Sequence, residues 1–163
     1  LELEKEQCNL QEIGYQVTEA LSLQAEQKGV KMTFSFSPKC PSYIWTDPIR
    51  LRQILINLVG NAVKFTHQGW IELIIEPQLD NLSSIRFAVR DTGIGIDPAN
   101  QQRIFEAFAQ ADTSSTKKYG GTGLGLTISN ELLSLMGSKL QLESEAGKGS
   151  VFYFDLEHEK AES

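Results

Sequence analysis

The sequence is short of several things, and each shortage removes a class of protein. It carries two cysteines, Cys8 and Cys40, in 163 residues. Their spacing suits neither a disulfide framework nor a metal cluster, so both read as free thiols in a reducing compartment. No apolar run approaches the 18 or so residues of a membrane span. There is no basic surplus either: 15 Lys and Arg stand against 21 Asp and Glu, a net charge of −6. That excludes a general binder of nucleic acid, which needs a positive field, but it leaves a single nucleotide open, because a few local cations can neutralise its phosphates. No signal peptide is legible, and the chain begins at Leu1 rather than Met, as an excised piece would. What is present is ordinary globular composition, 40% hydrophobic and 22% charged, at a length that supports one domain with its own core.

Periodicity divides the chain. Leu1 to Cys8 is Glu-rich with scattered Leu and reads as the end of a preceding helix or a linker, so residues 1–9 are set apart from a domain over 10–157. Leu10 to Gly29 has helical spacing, Val30 to Ser37 alternates as a strand, and Tyr43 to Thr46 is a second, short strand. Asp47-Pro48 is a strong helix start, an acid at the N-cap and proline at the first helical position, for a helix to about Thr66. Gly69 to Gln78 and Ile85 to Arg90 read as strands around a turn at Asn81 to Ser84. Asp97-Pro98 starts a shorter helix. Ala107 to Gly121 has no periodicity and reads as a long functional loop. Gly123 to Met136 is helical. Lys139 to Ser144 and Ser150 to Leu156 form a closing hairpin, and 158–163 is a charged tail. Strands arrive in hairpins rather than one per helix, so the fold class is α+β, a two-layer sandwich, rather than a doubly wound parallel sheet.

Three segments carry the chemistry. On the helix after Pro48, Asn57, Asn61 and Lys64 share one stripe, while Leu51, Ile54, Leu55, Leu58 and Ala62 occupy another face. A solvated face would give a polar stripe too, but asparagine is a poor helix former in a helix interior. Its amide oxygen can ligate Mg²⁺ without adding charge, and lysine can hold a phosphate. Asp91-Thr92-Gly93-Ile94-Gly95 is a strand-ending turn whose carboxylate can accept from an exocyclic amine. Gly120 to Gly125 packs four glycines into six residues at the start of a helix, where free backbone N–H groups can face an anion. Two familiar phosphate motifs fail. Leu126 stands where a dinucleotide fingerprint needs its third glycine, and Leu142 stands where a P-loop ending at Gly147-Lys148 needs its first.

In order and spacing these segments resemble the boxes of sensor histidine kinases. Asn57 to Thr66 is similar to the N box, Asp91 to Ile96 to the G1 box, Ile104 to Phe108 to the F box, Gly121 to Leu126 to the G2 box, and Gly147 to Phe152 to the terminal glycine segment. The resemblance spans about Leu10 to Leu156. It implies a Bergerat-type ATP-binding fold, shared with gyrase B, MutL and Hsp90: a mixed, largely antiparallel sheet of about five strands packed on three helices, with an ATP lid over 108–121. It implies that Asn61, with Asn57, ligates Mg²⁺, and that Asn57, Asn61 and Lys64 are catalytic. Lys64 meets phosphate and Phe65 flanks the nucleotide. Asp91 binds the adenine amino group in a pocket shaped by Gly93, Gly95, Ile96 and Phe108. Gly121, Thr122, Gly123, Leu124 and Gly125 cradle the triphosphate. Lys117 and Lys118 fall in the lid.

The implied reaction is transfer of the γ-phosphoryl of ATP to a histidine. The gyrase-like branch carries a general-base Glu at the Asn57 position, and an amide is not a base, so water attack is expected to be slow. Neither His67 nor His158 has the context of a phosphoacceptor, and both read as solvated surface residues. The acceptor is therefore expected on a separate dimerisation and histidine-phosphotransfer domain, with a response regulator receiver domain downstream. The resemblance further implies a cytoplasmic domain of a membrane-anchored bacterial sensor, with no nucleic acid partner and no membrane contact of its own. One departure is Ser138, where a second glycine commonly follows Gly137.

Overall fold

In the computed structural model, residues 2–95, 98–109 and 120–158 are described, with side chains outside 104–109 and 120–125. The elements run β1 (Glu6–Asn9), α1 (Leu10–Gln27), β2 (Lys31–Phe36), β3 (Tyr43–Thr46), α2 (Pro48–Phe65), β4 (Trp70–Pro77), β5 (Ser84–Asp91), α3 (Pro98–Ala109), α4 (Gly120–Leu135), β6 (Gln141–Glu145) and β7 (Gly149–Glu157). Five strands make one sheet in the order β2-β4-β5-β7-β6. The β2–β4 pair is parallel and the rest are antiparallel, which is the expected mixed sheet.

One face of that sheet carries the core. Ile71, Leu73 and Ile75 of β4, Ile85, Phe87 and Val89 of β5, and Phe152, Phe154 and Leu156 of β7 alternate inward and are buried. Phe87 and Phe154 stack with centroids 5.0 Å apart. The facing layer is α1, α2 and α4, which supply Ile13, Val17 and Leu21, then Leu51, Ile54, Leu55 and Leu58, then Leu126, Leu132 and Leu133. α3 is a fourth helix and packs beside α4. The other sheet face is polar, with Arg86 bridging to Asp155 at 2.8 Å and lying over the Tyr153 ring.

α2 is fixed at both ends. Asp47 Oδ1 accepts from the Arg50 N–H at 3.0 Å, the expected N-cap. At the other end, Lys28 Nζ donates to the carbonyls of Val63 and Lys64 at 2.5 and 3.1 Å, placing a cation where the helix dipole is negative.

Two expectations are corrected. Within the stretch read as the end of a preceding helix or a linker, Glu6–Asn9 is a strand: it pairs antiparallel with β3 in a two-stranded ribbon outside the main sheet. It buries Cys8, whose thiol donates to the Thr46 carbonyl at 3.3 Å, and Asp47 Oδ2 accepts from the Glu4 N–H at 2.9 Å. The last helix starts at Gly120, not Gly123, so the glycine segment is itself helical, and α3 reaches Ala109. Of the segment expected to be a long loop, 107–109 belong to α3 and 120–121 to α4; 110–119, with Lys117 and Lys118, lie outside the described residues.

Both cysteines are buried and free. Burial pushes each thiol up to about 11, which fits inert thiols.

Candidate functional site

The site is assembled where the C-terminal end of α2 meets the end of β5. The Asp91 carboxylate ends β5 opposite Ser150 of β7, half-buried. Its Oδ1 accepts from the Gly93 N–H at 2.9 Å. Burial pushes its pKa above the usual 3.8, and the backbone N–H groups of Gly93 and Ser150 pull it back part of the way. The result is a carboxylate pre-oriented by its own turn and poorly hydrated.

That turn depends on glycine at two places. A Cβ on Gly93 would stand 2.6 Å from the Phe65 carbonyl oxygen and 3.0 Å from Thr66 Oγ1. Gly95 has φ +71°, and a Cβ there would collide with the Glu145 carbonyl oxygen. The turn is therefore pressed between the end of α2 and the β6–β7 hairpin. The Gly147 N–H also donates to the Ile94 carbonyl at 2.7 Å, so the terminal glycine segment holds the Asp91 turn in place.

A cavity of ≈ 220 Å³ opens between these elements, lined by Asn61, Ala62, Phe65, Asp91, Ile94, Gly95, Asn100, Leu126, Ser150 and Phe152. Its wall is mostly apolar with a few convergent polar groups, the composition of a small-molecule site. Asn61 Nδ2 is buried with no hydrogen-bond partner among the described residues, and Thr66 Oγ1, beside Gly93, is another such atom. Buried polar atoms are nearly always paired, so an orphaned amide beside a cavity is what a site awaiting a ligand looks like. A nucleotide fits that lining: an amide N–H that calls for an acceptor such as a phosphate oxygen, a carboxylate, and apolar surface. A Mg²⁺ ion would have to be taken by the other end of the Asn61 amide, its oxygen.

The sequence-predicted residues fall into three groups. Asn61, Phe65, Asp91 and Gly95 come together on the cavity, and Gly93 lies behind it. Asn57 and Lys64 are on α2 but do not line it. Asn57 Nδ2 donates to Ser129 Oγ of α4 at 3.2 Å, and Lys64 is exposed with Nζ 5.6 Å from the Phe65 ring centroid. Gly121, Thr122, Gly123, Leu124 and Gly125 form the first turns of α4 and Phe108 lies in α3, in backbone description only; Ile96 lies outside the described residues. Asn100, Leu126, Ser150 and Phe152 line the cavity without having been singled out. Ser150 and Phe152 had a signal in the terminal glycine segment and Leu126 in the G2 box; Asn100 is placed by tertiary contact.

Of the two histidines, His67 is exposed. His158 corrects the surface expectation, since both ring nitrogens are buried without a partner among the described residues. Ser138 has its own explanation: its Oγ donates to the Asp155 carbonyl at 2.6 Å, tying the exit of α4 to β7.

A family model for the histidine kinase-, DNA gyrase B- and HSP90-like ATPase matches residues 46–160. The chain belongs to that family. Within it the chain is similar to histidine kinases. The signal transduction histidine-protein kinase BarA of Escherichia coli K12 is 41% identical over 143 residues, 86% of this chain and 16% of BarA. The crystal structure of full-length ShkA in complex with AMPPNP superposes with a TM-score of 0.84 at 37% identity, covering all of this chain and 33% of that one. Histidine kinase ThkA in complex with response regulator protein TrrA gives a TM-score of 0.73 at 25% identity, covering 94% of this chain and 42% of that chain. The chain thus spans about a sixth of BarA's length, the part that is the ATP-binding catalytic domain of a histidine kinase.

Proposed function

We propose that this domain binds Mg-ATP and presents its γ-phosphoryl to a histidine on a dimerisation and phosphotransfer domain of the same longer protein. A response regulator receiver domain then takes the group onward. The observation that carries this reading is the cavity joining Asn61 of α2 to Asp91 of β5, in a chain 41% identical to a histidine kinase. ThkA, seen with a response regulator, supports the downstream partner.

In this reading the chain's own residues divide the work. Asp91 accepts from the adenine amino group, with Gly93 and Gly95 setting its angle and Ile96 and Phe108 flanking the base. Phe65 covers one side of the nucleotide. Asn61 and Asn57 hold Mg²⁺, which when bound neutralises phosphate charge. Lys64 adds a cation at the phosphates. Gly121, Thr122, Gly123, Leu124 and Gly125 offer backbone N–H groups at the start of α4. No general base is needed in the domain, because the attacking group is a histidine held in position by the partner domain. Among the described residues no helix is long and apolar enough to cross a membrane, and we place any membrane anchor of the sensor outside them, with this domain on the cytoplasmic side.

The test is to mix the chain with radiolabelled Mg-ATP and the acceptor domain of its own full-length protein. An acid-labile, base-stable label on the acceptor is the expected result. Asn61→Ala should abolish that label while ATP binding without metal persists. Rapid ATP hydrolysis with no acceptor present would overturn the reading.

A further inference from the structure

Asn57 and Ser129 meet across the α2–α4 packing, and the contact has a direction. The Asn57 side-chain amide donates from Nδ2 to Ser129 Oγ at 3.2 Å. Ser129 is fully buried, at 0% exposure, so its hydroxyl is not replaceable by water. Both are weak helix formers in helix interiors, one turn from Asn61 on α2 and one turn past Gly125 on α4. An asparagine amide has a donor end and an acceptor end. With Nδ2 committed to α4, the end left to offer a cation or a phosphate-bound water is Oδ1, the end that can ligate.

α4 is itself held at its far end. The Leu140 N–H donates to Asn130 Oδ1 at 3.0 Å, and Ser138 is tied to β7. Asn130 follows Ser129 directly, so Ser129 sits on the anchored part of the helix that the glycine segment opens.

We propose that Ser129 is the positioning residue for Asn57. It holds the amide by Nδ2, which leaves Oδ1 as the end that can ligate, and it makes that orientation depend on α4 being seated against α2. The inference rests on the metal role given to Asn57 above. In this arrangement the helix carrying the second glycine segment reports to the metal side of the site through one hydroxyl, with no contact of its own to the cation.

The experiment measures how much Mg²⁺ tightens ATP binding to this chain, from affinities with the metal and with chelator, for wild type, Asn57→Ala, Ser129→Ala and the double variant. ATP affinity in chelator serves as the check that each variant is folded. Ser129→Ala should lower the Mg²⁺-dependent tightening about threefold to tenfold, the effect of one lost hydrogen bond. The double variant should be no worse than Asn57→Ala alone, because Ser129 acts only through Asn57. Ser129→Cys, nearly isosteric but a poor acceptor, should resemble Ser129→Ala. If Asn57→Ala removes the tightening and Ser129→Ala does not, the positioning role is overturned. If the two losses add in the double variant, Ser129 acts independently of Asn57 and the inference again falls. If Asn57→Ala itself changes nothing, the role of Asn57 in the proposed function fails first, and the inference with it.

Discussion

The two helices that frame the cavity begin in opposite ways. α2 starts with Asp47 capping a proline-led first turn and ends under the ammonium of Lys28. α4 starts with Gly120, Gly121, Gly123 and Gly125 in its first six residues. A glycine in a helix interior costs about 1 kcal/mol relative to alanine, so the first turns of α4 are disfavoured as helix by about 2–3 kcal/mol. Its second half is anchored by Asn130 and Ser138. One wall of the site is fixed at both ends, and the other is fixed at one end and cheap to unwind at the other. The fixed wall bears Asn61; in the proposed function the convertible wall bears the backbone N–H groups that meet phosphate. A site that must hold and then release a triphosphate benefits from that division.

The largest expected effect comes from breaking the fixed side. Gly95→Ala puts a Cβ into the Glu145 carbonyl at positive φ and should destabilise the domain by about 3 kcal/mol, read as a shift in the urea midpoint, with loss of ATP binding.

Next is Asp91→Asn, which should weaken ATP binding by about 2 kcal/mol in calorimetry, while the empty domain is not destabilised. The sign follows from burial. An acid whose folded pKa is raised contributes stability below its ordinary pKa that is lost as pH rises through the folded value. Ionised Asp91 is therefore a cost to the empty domain at neutral pH. For the same reason ATP affinity should fall on acidification beginning above pH 3.8, the usual aspartate value, and Asp91→Asn should flatten that dependence.

On the convertible side, Gly121→Ala and Gly123→Ala should each raise stability by about 1 kcal/mol and slow nucleotide exchange in stopped-flow. Faster exchange would show that the first turns of α4 do not move. The smallest effect belongs to Lys28→Met, about 0.5–1 kcal/mol in thermal unfolding, with ATP affinity unchanged, since Lys28 braces α2 from outside the cavity.

What could be read from the sequence follows the range of the interactions involved. α2 was legible because Asp47, Pro48 and the Leu51 to Ala62 stripe are local signals that agree. The β4–β5 and β6–β7 hairpins were legible because each pairs strands adjacent in sequence, with turn and alternation close together in the chain. β1 was not: Glu6-Gln7-Cys8-Asn9 buries one side chain and is a strand only because β3 lies beside it. The helical start at Gly120 was hidden because four glycines argue against it locally. At the site, Asn61 and Asp91 stood out by residue type in an unexpected setting. Leu126 and Phe152 fell inside recognised segments without being singled out, and Ser129 drew no notice, because their importance lies in a neighbour 50 or more residues away.

Asp91 sits opposite Ser150, and its carbonyl oxygen occupies the space a Cβ on Gly149 would need. The consequence concerns synthesis. The Asp91 wall of the cavity closes across nearly 60 residues of chain, a long-range pairing whose loop-closure entropy must be met late. The α1–α2 layer and the β4–β5 hairpin can form on a growing chain, but the carboxylate gains its second backbone donor only when β7 docks. In the proposed function, nucleotide binding is therefore a readout of completed folding: a nascent chain lacking its last strand would hold Asn57 and Asn61 without a finished Asp91 pocket to match them.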